Sequence, residues 1–313
     1  MLAARDFIVF CIVYLLLLPF RILPYGASLA LGRLLARALY PLAKKYRRIA
    51  DENLKHAFPE RDEAWRKTAV RRCLDHIGVV LADAAYGGRR DDRFLKKYVV
   101  FEGDSKEVER RAFARGTGMM LIAGHLGLWE MLVWYTGFVV GGGGIYKAMS
   151  NRFMDSWYKK IREASGIVLF ELADTALAVR HVRKGGAMGI VPDQNAGMDG
   201  LFIDFLNRPA STFRGPALIA DLANAGMLLY TALHMDDGKI HVTITDLGHV
   251  DRSAFRDREE AVRHYTEIWV RALEERIREH PEQYFWVHQR WKTRPEDVQR
   301  YKEQRQKEKE QKS

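Results

Sequence analysis

The segment Met119-Met120-Leu121-Ile122-Ala123-Gly124-His125-Leu126-Gly127-Leu128-Trp129-Glu130 decides how this chain folds. Its apolar first half, bounded by glycine, reads as a buried strand ending at Ala123. Five residues advance an ideal helix by roughly 500°, so His125 and Glu130 would not share a face if both sat mid-helix. A turn must intervene. Gly124 and Gly127 supply it, which leaves Glu130 in the first turns of a following helix. A strand-to-helix corner at the carboxyl end of a parallel sheet is where α/β folds place their chemistry. A histidine followed five positions later by a carboxylate supplies a base and a group to orient it. The competing reading is a core histidine beside a helix-start glutamate.

Outward from this corner, short apolar runs alternate with helical patterns. Strands are predicted at Tyr98 to Phe101, Met119 to Ala123, Gly144 to Tyr146, Ile167 to Phe170, Ala187 to Val191, Leu201 to Phe205, Leu228 to Leu233 and Ile240 to Thr245. Helices are predicted at Ser105 to Arg115, Glu130 to Phe138, Asn151 to Ser165, Thr175 to Lys184, Pro216 to Ala225 and Arg258 to His280, the last stopped by Pro281. Trp65, Ala69, Cys73, Ile77 and Leu81 recur at helical spacing after Asp62. The fold class is therefore α/β, a mostly parallel mixed sheet flanked by helices. Asp236-Asp237-Gly238 is a hairpin turn, so the last two strands are expected to run antiparallel.

The chain has 313 residues, 48% of them hydrophobic, which excludes a disordered protein. Cys11 and Cys73 lie in dissimilar contexts and neither belongs to a CxxC motif, so a reducing setting is expected for the body. No metal-ligand spacing is present among the ten histidines. The formal charge of +10 and a pI near 9.5 point to a polyanionic partner: nucleic acid, an anionic membrane, a phosphorylated lipid or an acidic carrier protein. Phe7 to Phe20 carries no charge, and as a helix it extends roughly 21 Å, short for a span of about 30 Å. Cationic residues follow it from Arg21 to Arg48, which by the positive-inside rule keeps the body cytoplasmic. A buried core helix and a signal peptide cleaved near Ala27-Ser28-Leu29-Ala30 are the alternatives, the latter interrupting an apolar helix from Leu29 to Ala43. The expected organisation is a membrane anchor over 1–24, a helical membrane-proximal region over 25–97, the α/β body over 98–295 and a charged, solvated tail over 296–313.

Several chemistries lack their motifs: there is no G-x-S-x-G elbow, no G-x4-G-K-[ST] loop and no G-x-G-x-x-G after a strand. Without a serine nucleophile, His125 fits a base acting on a substrate hydroxyl. The corner resembles the H-x4-E corner of the bacterial lipid A biosynthesis acyltransferases, within the wider lysophospholipid acyltransferase group. Further blocks agree in order. Tyr46-Arg47-Arg48-Ile49-Ala50, leading through Asn53-Leu54 to Phe58-Pro59, is similar to that family's arginine-rich stretch. Tyr146-Lys147 with Asn151 resembles its Y-[RK]-x3-N block, and Pro192-Asp193-Gln194 its P-D-Q segment. FLNRPASTFRGPALIA, from Phe205 to Ala220, and YFWVHQRWKTRP, from Tyr284 to Pro295, resemble two more.

The resemblance implies an O-acyltransferase at the cytoplasmic face of a bacterial inner membrane. It implies an acyl thioester donor on acyl carrier protein or coenzyme A and a phosphorylated lipid acceptor, with no cofactor, metal or nucleic acid required. His125 would be the base and Glu130 its orienting carboxylate. Arg162 would bind phosphate or stabilise the oxyanion, unless it is a solvated helix arginine. Asp193 would orient a loop or substrate, unless it only caps a turn, and Asn195 stands where the family often has a second acid. Tyr146, Lys147, Arg208 and Arg214 are the remaining substrate-binding candidates, while His288 reads as packing. Rival readings are transfer to another lipid acceptor, such as a lysophospholipid or a mannosylated inositol lipid, and a non-catalytic membrane or nucleic-acid binder.

Overall fold

The computed structural model describes residues 2–301. Helices α1 (Leu2–Ile22), α2 (Tyr25–Leu39), α3 (Lys44–Ala57), α4 (Glu63–Tyr86) and α5 (Asp92–Tyr98) lead into strand β1 (Val99–Phe101). There follow α6 (Ser105–Phe113), β2 (Met119–Ile122), α7 (Trp129–Tyr135), β3 (Gly143–Tyr146), α8 (Arg152–Glu163), β4 (Val168–Glu171), α9 (Thr175–Arg183) and β5 (Ala187–Ile190). The chain ends through β6 (Leu201–Phe205), β7 (Arg208–Thr212), α10 (Gly215–Ala223), β8 (Gly226–His234), β9 (Ile240–His249) and α11 (Arg258–Glu279).

Seven strands form one sheet in the order β1-β9-β8-β2-β5-β3-β4. All neighbours run parallel except β8 and β9, which are antiparallel as the Asp-Asp-Gly turn requires. Strand β2 lies between β5 and β8 and is fully buried. Its residues alternate between two cores: Met120 and Ile122 pack with α10 and α11, and Met119, Leu121 and Ala123 with α4, α6 and α7. Burial on both faces is why this strand is continuously apolar.

The stretch Leu201–Phe205 is a strand but does not join the main sheet. It pairs antiparallel with β7, which sequence patterning did not reveal, in a separate hairpin. The two turn residues, Leu206 and Asn207, both have positive φ (48° and 68°), the geometry of a tight two-residue hairpin usually signalled by Asn-Gly. Here a leucine takes that conformation because it is fully buried and its N–H donates to Glu274 Oε1 at 2.9 Å. The helix expected to reach Phe138 instead widens into a π-turn over Thr136–Val140. Residues 296–301, expected as solvated tail, are helical, and 302–313 lie outside the described residues.

Helices α2 and α4 cross at Gly32 and Gly78, where a Cβ on either would fall within about 2.2 Å of the other's carbonyl oxygen. Beyond the crossing, Tyr25 donates to Asp83 at 2.8 Å and Arg90 pairs with the same buried carboxylate. Helix α1 packs one face on α8 through Phe7 against Phe153 and Tyr14 against Trp157. Its other face, with Ile8, Ile12, Leu15 and Leu16, is bare. Among the described residues it is the one helix long and apolar enough to cross a membrane, and only 6% of its apolar window is buried, so it is not a core helix.

Candidate active site

The register between β2 and β5 sets the site. Ile122 pairs with Ile190, and Ala123 N–H donates to Ile190 O at 3.0 Å. Three residues beyond each partner stand His125 and Asp193, which the two strands deliver to the same end of the sheet. One Asp193 oxygen meets His125 Nδ1 at 2.6 Å, and the other accepts from the His125 backbone N–H at 2.8 Å. Burial alone would push the Asp193 carboxyl up, but the charge and hydrogen bonds of His125, reinforced by Arg290, hold it below the usual carboxylate range. An ionised Asp193 fixes the proton on Nδ1 and leaves Nε2 as the acceptor. The Gln194 amide nitrogen lies 3.2 Å from Nε2.

The turn itself is held by the end of the chain. Phe285 N–H donates to His125 O at 2.9 Å, and Gly127 N–H donates to Gln283 O at 3.1 Å. Gly127 has φ 62°, and a Cβ there would lie 2.1 Å from Ala232 O, so only glycine fits. From the other side, His76 Nε2 contacts Gly127 O at 3.1 Å, and Asn53 Nδ2 donates to the carbonyls of Trp286 and His288. The imidazole of His125 packs against Trp129 and Phe285, with centroids 4.9 and 5.9 Å away.

Asn53, His125, Asp193, Gln194, Tyr284 and His288, with Phe285, Trp286 and Arg290, line a small cavity. Burial pushes His288 down to about 4, so it is neutral near pH 7. Burial likewise raises the Tyr284 phenol well above its ordinary range, with nearby Asp193 adding to the effect. Arg290 is buried without a carboxylate on its guanidinium: it donates to Ser211 O at 2.5 Å and Thr212 Oγ1 at 2.6 Å and lies over the Phe205 ring.

A model of the bacterial lipid A biosynthesis acyltransferases matches residues 1–293. The chain belongs to that family. It is thus an acyltransferase. A lauroyltransferase of lipid A biosynthesis from Escherichia coli (strain K12) is 26% identical over 279 residues, covering 88% of this chain and 89% of that one. A palmitoleoyltransferase of lipid A biosynthesis from the same strain is 24% identical over 278 residues, 87% of each chain. A lipid A biosynthesis acyltransferase from Haemophilus influenzae is 25% identical over 271 residues, covering 80% and 77%.

Against this family background, the geometry reassigns the carboxylates of the H-x4-E corner. The contact expected from Glu130 to the imidazole is made by Asp193. Glu130 is buried in the first turn of α7 and faces away, accepting from Arg162 Nη2 at 2.7 Å and Nε at 3.1 Å. Burial would raise the Glu130 carboxyl, but Arg162 holds it below the ordinary range; reciprocally, Glu130 outweighs burial and raises Arg162. The Nε–Nη2 edge of Arg162 is thereby occupied by Glu130, with its guanidinium 4.4 Å from the Tyr158 ring. The pair ties α7 to α8.

The other candidates lie outside the cavity. Tyr146 donates to Glu171 at 3.1 Å, and Lys147 follows it at the end of β3. Arg208 stands near His56, and its carbonyl accepts from Trp291 Nε1; Arg214 bonds Glu259 at 2.6 Å. Asn195 donates to Thr293 rather than joining Asp193. His288, read as packing, lines the cavity beside His125, as do Asn53, Gln194 and Arg290, which carried no role in the sequence. Asp193 is a candidate from the resemblance alone; pairing the predicted strands that end at Ala123 and Val191 would have set it beside His125, since each residue stands two positions beyond its strand.

Proposed function

We propose that this acyltransferase moves a fatty acyl chain from a thioester on acyl carrier protein to a hydroxyl of a phosphorylated lipid A precursor, with His125 as general base. The observation that carries this reading is a half-buried imidazole paired with a buried carboxylate in a cavity where, among the described residues, no serine, threonine or cysteine is present. With no such nucleophile beside it, the imidazole is suited to activating a hydroxyl brought by the acceptor. Nε2 takes the acceptor's proton as its oxygen bonds to the thioester carbonyl carbon. Asp193 stabilises the resulting imidazolium. The tetrahedral intermediate then collapses, the carbon–sulfur bond breaks, and the imidazolium returns the proton to the leaving thiolate. The net charge of +10 suits both an acidic donor and a phosphate-bearing acceptor.

The bare stripe on α1 and the exposed Leu34, Leu35, Leu39 and Leu42 support attachment to a bilayer, and the cationic residues after α1 support the cytoplasmic face of an inner membrane. On this reading residues 1–24 anchor, 25–97 lie beside the bilayer and 98–295 carry the chemistry. Single-turnover transfer from a labelled acyl thioester tests the mechanism. His125→Ala should slow ester formation by about 10² to 10⁴, and wild-type protein should never carry label. A trapped acyl-enzyme, or normal turnover by folded His125→Ala, would refute it.

A further inference from the structure

Between α2, α3 and α4 opens a cleft of about 840 Å³ lined by eight cationic and three acidic residues. Half of the chain's net charge of +10 therefore surrounds one depression. Its three carboxylates are already used: Asp75 by Arg37 at 2.8 Å, Glu63 by Lys67 at 2.7 Å and Asp51 by Arg66 at 3.4 Å. Lys44, Arg47, Arg71 and Arg72 also line the cleft, and among the described residues none of them has an ion-pair partner. Arg47 and Arg71 are both held on the Tyr40 ring, 4.7 and 5.5 Å from its centroid, and the buried Nε of Arg47 has no hydrogen-bond partner. Like charges set side by side on helices are destabilising. A partner bearing several negative charges removes that repulsion.

Spacing and orientation select the partner. Lys44, Arg47 and Arg48 on α3, and Lys67 and Arg71 on α4, recur about one helical turn apart, so two rows of charge run at the interval that carboxylates take along one face of an acidic helix. A lipid surface fits less well. Arg37 is two residues from both exposed Leu35 and exposed Leu39, roughly 160° around a helix of 3.6 residues per turn. Lipid on the Leu35–Leu39 flank leaves the cleft facing water, with exposed Leu34, roughly 60° from Arg37, at its margin. The helices bearing the cleft also reach the His125 turn, α4 through His76 on Gly127 O and α3 through Asn53 on the C-terminal segment that clamps the turn.

We propose that this cleft docks an acidic helix of the protein that carries the acyl thioester. Donor recognition and chemistry are then served by different faces of α3 and α4. The assignment rests on the carrier-protein donor proposed above. The variant Lys44→Glu/Arg72→Glu reverses two exposed charges outside the catalytic cavity, and the full chain in detergent is titrated with acyl carrier protein by calorimetry. The dissociation constant should rise on the order of tenfold or more, as should KM for the carrier-bound donor. Kinetics with the same acyl group on free pantetheine should not change, and Lys44→Arg/Arg72→Lys should restore the wild-type values. Unchanged carrier affinity in the reversed variant overturns the assignment, as does a wild-type protein that does not bind the carrier. Loss of binding to phosphatidylglycerol vesicles with carrier affinity intact overturns it in favour of a lipid surface. A wild-type protein that binds the carrier through this cleft yet acylates no lipid would sink the proposed function and leave the docking site standing.

Discussion

Replacing Asp193 by asparagine tests which carboxylate serves His125. Asp193 accepts from the imidazole Nδ1 at 2.6 Å and from the His125 backbone N–H at 2.8 Å, and an amide has one oxygen to offer where the carboxylate had two. Either the ring loses its partner or it flips to the tautomer with the proton on Nε2, where it can no longer accept one. In a serine protease triad the equivalent change costs about 10⁴ in kcat; here a loss of about 10³ to 10⁴ is expected, or about 4 to 5.5 kcal/mol at 1.36 kcal/mol per tenfold. Glu130→Gln should act differently, because its partner is Arg162. Breaking a buried pair costs about 3 to 5 kcal/mol, and the side chain of Arg162 is 20% exposed, which places the cost at or below the lower end. Its effect should appear in unfolding, and Glu130→Gln/Arg162→Gln should recover much of the lost stability because no charge is then stranded. Steady-state kinetics and denaturant unfolding of the three variants decide the matter. The reasoning fails if Asp193→Asn turns over within tenfold of wild type. It fails equally if Glu130→Gln loses a thousandfold in kcat at unchanged stability and the double variant does no better.

Acid should weaken the fold before its carboxylates protonate. Burial holds His76 and His288 at about 4, against about 6.5 in an unfolded chain, so between those values the unfolded state binds the extra protons and stability falls as pH falls. The denaturant midpoint should drop from pH 7 to pH 4.5, and His76→Gln should flatten the drop; an identical slope in the variant would exclude His76. Gly127→Ala forces a Cβ to within 2.1 Å of Ala232 O at φ 62°, and should both lower the unfolding midpoint and cut turnover at least tenfold, since the displaced turn carries His125. Wild-type kinetics in that variant would show that the turn yields freely. Removal of residues 1–24 should release much of the protein from vesicles, the remainder dissociating with salt; unchanged partitioning would mean that α1 is not the anchor.

The parts legible in the sequence are those where local pattern and tertiary environment agree. The apolar run Met119 to Ala123 is buried on both faces, and Asp236-Asp237-Gly238 does join antiparallel strands. The hairpin at Leu206 is hidden because its turn conformation is imposed by Glu274, 68 residues away in sequence, and Asn207 stands without the glycine that usually accompanies it in such a turn. The site divided along the same line. His125 and its glycines form a local signal, and the family resemblance brought Asp193 into view. The Glu130 side chain misled because proximity along the chain says nothing about which way a helix turns its first residues. Asn53 and Arg290 reach the cavity only through contacts 233 and 79 residues long in sequence, which no local spacing encodes.

The backbone bonds from Phe285 to His125 and from Gln283 to Gly127 also set a timetable. Synthesis runs from the N-terminus at about 5 to 20 residues per second, so roughly 15 to 50 s separate the emergence of α1 from that of the segment that clamps the catalytic turn. In the last third of that interval β2 and β5 are present and His125 and Asp193 have been made, but the turn still lacks the strap that holds it. A chain stalled or truncated before Gln283 would carry the apolar helix and the cationic cleft without the bonds that hold the His125 turn. If α1 is the anchor proposed above, the chain has ample time to reach a bilayer through it before the proposed site is assembled.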